Sequence, residues 1–155
     1  MKDLLKIIIL FISLSPLILY SQEELVVEVT GIKAIQGDLY LSLYDNDSSW
    51  LFTDSAFHLV SAPVKNNSGI FVLKGIPYGL YAIAVYQDQN ANGILDETEM
   101  KIPKEPYGFS NNPKGKRGPA SYQDALINFG GKDTLRIELV NNLFTPNKEK
   151  HDKKK

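Results

Sequence analysis

Between Asp88 and Glu99 the chain reads DQNANGILDETE. With Asp88 in first position, Asn90 stands third, Asn92 fifth, Gly93 sixth, the Ile94 carbonyl seventh, Asp96 ninth and Glu99 twelfth, which satisfies the D-x-[DN]-x-[DN]-G-x5-E pattern of a calcium loop. The chemistry behind that spacing is simple. Calcium is a hard cation that takes about six to eight oxygens, and alternating side chains on a tightly curled backbone supply them from one side. Gly93 permits the sharp bend, and Glu99 would close the shell with two oxygens. Ca2+ is therefore the expected cofactor, bound at about 10⁻⁴–10⁻³ M, the range of extracellular modules. The competing reading is that Asn92-Gly93 only turns the backbone and the carboxylates are solvated.

The flanking segments decide what scaffold holds this loop. YAIAVYQ before it alternates like a strand, and MKIPKEP after it carries Pro103 and Pro106, which forbid an exiting helix. A helix-loop-helix calcium hand is excluded, and the loop must sit on a sheet. Period-two alternation recurs along the chain: Leu25, Val27 and Val29 face one way and Glu28 and Thr30 the other, as do Leu39, Leu41 and Leu43 against Tyr40, Ser42 and Tyr44. The spacing predicts strands at 24–30, 39–44, 55–64, 69–74, 80–87, 123–129 and 133–140. About seven short strands separated by Gly, Asn and Pro turns predict an all-β fold, a single antiparallel β-sandwich of immunoglobulin-like type. Asn66-Asn67-Ser68-Gly69 predicts a hairpin between the third and fourth strands. Trp50 and Phe52 are expected to plug the open end of the sandwich.

Composition bounds the rest. The chain has 155 residues, enough for one domain, and its 43% hydrophobic content is ample for one core. Met1-Lys2, the apolar run Leu4–Leu19 and the small residue Ser21 read as a secretory signal peptide over residues 1–21, short for a spanning helix, the alternative being an uncleaved N-terminal anchor. The predicted domain covers 22–143, and a disordered lysine-rich tail 144–155. There is no cysteine, hence neither a disulfide framework nor a lipidated cysteine. The product is expected to be periplasmic or secreted, touching membrane only through the signal segment during export. Lys+Arg and Asp+Glu number 17 and 18, and Lys114, Lys116 and Arg117 make only a small basic knob, so nucleic acid is not an expected partner.

The stretch Gly75-Ile76-Pro77-Tyr78-Gly79-Leu80-Tyr81 resembles the Pro-Gly turn and strand of transthyretin-like and collagen-adhesin B-type sandwiches. Together with the loop at 88–99 and the later IPKEPYGFSNN, it is similar to the bacterial family known as domain of unknown function 2141, over about residues 24–140. The resemblance implies an exported β-sandwich and carries no activity.

Residues 101–121, KIPKEPYGFSNNPKGKRGPAS, hold four Pro and three Gly, which is taken to forbid a regular element. Tyr107, Phe109, Asn111 and Asn112 are the candidate surface for a glycan or an envelope protein, unless the aromatics merely cap a sheet edge. No G-x-S-x-G, no H-E-x-x-H and no partnered histidine appears, so an enzyme is not expected. Two functions remain: a binding module whose loop ion orders 101–121, or a purely structural envelope-associated protein in which the loop is only a turn.

Overall fold

The computed structural model of the chain describes residues 24–113, 119–131 and 133–140. The expected signal peptide, the basic knob and the lysine-rich tail lie outside the described residues.

The described chain is all-β, with eight strands in two sheets: β1 (Glu24–Thr30), β2 (Asp38–Tyr44), β3 (His58–Pro63), β4 (Gly69–Lys74), β5 (Gly79–Asp88), β6 (Tyr107–Phe109), β7 (Leu126–Phe129) and β8 (Asp133–Glu138). The smaller sheet runs β4-β1-β8 and the larger β3-β2-β5-β6, with β7 also pairing β5. Apolar residues at every second position of β1, β2 and β5 turn inward, where Leu25, Val27, Leu41, Leu43, Ile83 and Ile137 are fully buried in one cluster fed by both sheets. Each large side chain so buried contributes about 1.5–3 kcal/mol, which lets the domain do without cross-links.

Five expectations need correcting, the last of them at residue 123. First, β1 and β8 run parallel, Val27 opposite Leu135, so the sheets are not purely antiparallel. Alternation sets which face is buried but is blind to strand direction. Second, β3 and β4 do not form a hairpin: β3 pairs β2 and β4 pairs β1, so the link between them crosses from sheet to sheet. Gly69 sits at that crossing, where a Cβ would lie 2.5 Å from Leu39 Cδ1. Third, the 101–121 segment does contain a strand, because Tyr107-Gly108-Phe109, free of proline, pairs β5. Gly108 is needed there, since a Cβ would come within 2.8 Å of the Glu138 carbonyl oxygen. Fourth, Trp50 plugs no open end.

The fate of Trp50 shows how the larger sheet is finished. Side chains on the outward face of β2 and β5 meet a second, smaller cluster made by Tyr44, Ala82, Tyr122 and Ala125, with Trp50 and Phe109 packed against it. Trp50 lies edge-on to Tyr44 and Tyr122 at 5.1 and 5.9 Å, and its indole N–H donates to the Ala120 carbonyl at 2.8 Å. Phe52, by contrast, is 67% exposed. The predicted strand start at 123 is instead a single helical turn, Tyr122–Ala125, fixed by a reciprocal Ser121–Asp124 capping box.

Candidate functional site

β5 delivers Asp88 to the start of the loop as its last strand residue, opposite Asp38. Gly37 makes room: a Cβ there would fall 1.8 Å from the Asp88 carbonyl oxygen. The Asp88 side chain is fully buried and turned into the loop, where one carboxylate oxygen accepts from the Asn92 amide at 3.2 Å and the other from the Gly93 amide at 2.7 Å. Gly93 has φ of 82°, the left-handed bend expected of it, and Ala91 shares that region at 58°. The loop amides thus converge on a carboxylate that the sheet holds in place.

Asn90, Asn92 and Asp96 gather in front of Asp88. Asn90 and Asn92 donate their side-chain amides to the two oxygens of Asp96 at 2.7 and 3.2 Å, while their own carbonyl oxygens accept from the Asn92 and Ile94 backbone. The Tyr86 hydroxyl donates to the Gly93 carbonyl at 3.1 Å, and burial, more than its neighbours Tyr40, Asp88 and Glu105, pushes that phenol up to about 12. The loop is therefore wrapped inward on oxygen atoms.

Glu99 does not join them. After Asp96 the chain forms a small hairpin in which Glu97 bridges Pro103 and Thr98 pairs Ile102, so Glu99 and Met100 ride on its exposed tip. Among the described residues no three His, Cys, Asp or Glu side chains form a group that could hold a metal ion. An ion at this loop would draw on Asp88, Asp96, the two asparagines and carbonyls such as that of Ile94, with the asparagine amides rotated to present oxygen.

A residue the spacing did not single out ties the loop to its neighbour. Glu105 is 6% exposed; one of its oxygens accepts from the Gln89 amide at 2.7 Å and the other from the Asp96 amide at 3.0 Å. The only signal in the sequence is a carboxylate held with Lys104 between Pro103 and Pro106. Glu105 thus ties the calcium-type loop to the segment leading into β6.

The second candidate set is dispersed. Tyr107 and Phe109 point to the outward face of the larger sheet, Tyr107 only 8% exposed. Asn111 and Asn112, both with positive φ, are clamps. The Asn111 side chain donates to the Asp124 and Leu126 carbonyls at 3.2 and 2.9 Å, and that of Asn112 donates to the Arg136 carbonyl at 2.8 Å and accepts from the Glu138 amide at 2.7 Å. The two asparagines hold β7 and β8 in place with the same groups a ligand would need.

A family model described as an uncharacterized protein conserved in bacteria, DUF2141, matches residues 27–137. The chain belongs to the DUF2141 family. That match spans β1 to β8 and includes the Asp88 loop, Glu105 and both asparagine clamps. No curated protein and no solved structure matches the chain significantly.

Proposed function

We propose that this DUF2141 protein is an exported, non-enzymatic β-sandwich module whose 88–99 loop takes up calcium and thereby fixes the adjoining 101–121 segment for binding a glycan or an envelope protein. The observation that supports this reading is the buried Asp88 carboxylate, clasped by the Asn92 and Gly93 amides at the head of a loop that collects Asn90, Asn92 and Asp96. A buried carboxylate at that point is costly without such partners. Glu105 gives the coupling a physical route, because it bonds the calcium-type loop from within the neighbouring segment.

The structural alternative is favoured by a specific observation as well. Asn90 and Asn92 already satisfy Asp96, so the loop closes on itself as a hydrogen-bonded turn.

Calorimetric titration of the chelator-treated chain from residue 22 onward, with Ca2+ and then Mg2+, separates the two. The module reading expects calcium-selective heat near about 10⁻⁴–10⁻³ M that Asp96→Asn weakens, with Glu99→Gln having the smaller effect because Glu99 sits on the hairpin tip. Absence of heat well above that range leaves the structural reading.

A further inference from the structure

The outward face of the larger sheet is laid out in rows that cross its strands. Tyr40, Tyr86 and Tyr107 stand opposite one another in one row, and Ser42, Ala84 and Phe109 in the next. Tyr44 and Ala82 begin the third. Because Ser42 and Ala84 are small beside Tyr40, Tyr86 and Tyr44, the sheet is recessed over those two residues, with Phe109 closing the end of their row. Chain segments 51–55 and 93–103 contribute walls around this hollow. The result is a groove of about 680 Å³, within the range of about 300–1,000 Å³ usual for small-ligand sites.

Its lining combines two chemistries. Tyr86, Tyr107 and Phe109 offer aromatic surface, and Asp54 and Glu97 place carboxylates among the wall residues. The hydroxyl groups are not equivalent. That of Tyr86 donates to the Gly93 carbonyl, and that of Tyr44 is hydrogen-bonded with Ser42 and Thr53. The Tyr107 hydroxyl has no hydrogen-bond partner among the described residues and is not sealed from solvent, since Gln87 Oε1 is the buried side-chain oxygen left without one there. A phenol open to the groove and bonded to nothing in the protein can donate to a ligand without breaking an internal hydrogen bond.

Charge narrows the ligand. Lys101, the cation in the lining, is paired with Glu97 at 3.3 Å, and Asp54 has no ion-pair partner among the described residues. The groove is therefore net acidic and repels anions. Aromatic rings suit the C–H faces of a pyranose, while carboxylates and a free phenol suit its hydroxyl groups. We infer that this groove binds a short neutral saccharide, with Tyr107 contributing an otherwise unused hydroxyl. The inference rests on the binding-module reading but not on the calcium ion.

Trp50, the single tryptophan of the chain, is 5.1 Å from Tyr44 and 5.7 Å from Phe109, both lining residues, and so reports occupancy by its fluorescence. The full chain is titrated with cellotetraose, maltotetraose, xylotetraose and chitotetraose, with tetragalacturonate as the acidic comparison, and with Ca2+ in a parallel series. The expected result is saturable change in Trp50 emission with at least one neutral saccharide. Ala84→Leu, which fills the middle row, should weaken it at least about tenfold, and Tyr107→Phe about three- to tenfold at unchanged melting temperature. Should Ala84→Leu fail to fold, Tyr107→Phe alone decides, because its hydroxyl holds nothing in the protein. The inference is overturned if no neutral saccharide acts up to about 10 mM, if Tyr107→Phe binds as tightly as the parent, or if the acidic comparison binds best. Calcium binding without saccharide binding removes the groove and keeps the loop. Saccharide binding without calcium does the reverse.

Discussion

The two faces of the β3-β2-β5-β6 sheet come from the same strands and are closed by different means. Inward, Leu39, Leu41, Leu43, Ile83 and Val85 meet the β4-β1-β8 sheet, and all are at most 2% exposed. Outward, Ser42, Tyr44, Ala84 and Tyr86 meet loop residues, the helical turn, Trp50 and the β6 aromatics, with no second sheet among their neighbours in the described residues. Where sheet packs on sheet, side chains from the two inner faces can interdigitate at high density. A loop has no period to match, and it covers the outward face unevenly. The inner face holds the domain together; the outer face leaves a groove and the loop built around Asp88.

This contrast is open to measurement. Leu41→Ala on the inner face should lose about 2–5 kcal/mol in urea unfolding, by lost burial and the cavity left behind. A loss below 1 kcal/mol would mean that the two faces do not differ as described. Asn112→Ala should lose about 1–2 kcal/mol, because it leaves the Arg136 carbonyl and Glu138 amide without their clamp; unchanged stability would return Asn112 to the pool of ligand-binding side chains.

The outer face should also register at high pH. Burial raises the Tyr86 phenol from 10.0 to about 12. The folded state thus keeps its proton where the unfolded state has lost it, so the associated stability is complete below pH 10.0 and declines as pH rises toward about 12. Urea unfolding repeated across that window should show the decline, and Tyr86→Phe should make it shallower. The smallest effects belong to the rim and to the outside of the smaller sheet. Phe52→Ser and Arg136→Ala should each change stability by no more than about 0.5 kcal/mol, since Phe52 is exposed and the 2.9 Å Arg136–Glu28 pair lies in solvent. A large loss from Phe52→Ser would show that the groove wall is part of the core.

Why some of this was legible in the sequence and some not follows from what alternation encodes. Leu25-Val27-Val29, Leu39-Leu41-Leu43 and Leu135-Ile137 announce both a strand and its buried face, and the structure places them so. Alternation needs several residues to register, and Tyr107-Gly108-Phe109 is too short to show it. Nor does it say which strand lies alongside, so the parallel β1·β8 pair and the small residues Ser42 and Ala84 meeting across β2 and β5 were out of reach. The calcium-type spacing located Asp88, Asn90, Asn92, Gly93 and Asp96 correctly as neighbours, because a tight loop keeps sequence and space in step. Glu99 rides out on the tip of the hairpin at 96–104, and the chain returns with Glu105, a carboxylate the spacing did not single out.

The pairing of β1 with β8 also sets the order in which the domain is completed. Glu28 and Arg136 are partners across 108 positions of chain, so the first described strand gains its second neighbour only after the last has been made. Contacts so distant in sequence carry a high loop-closure cost and slow the search for the native state. Until β8 arrives, one edge of β1 presents unpaired amides and carbonyls, and a chain cut short after β7 retains that edge permanently, a template for joining to other copies of itself.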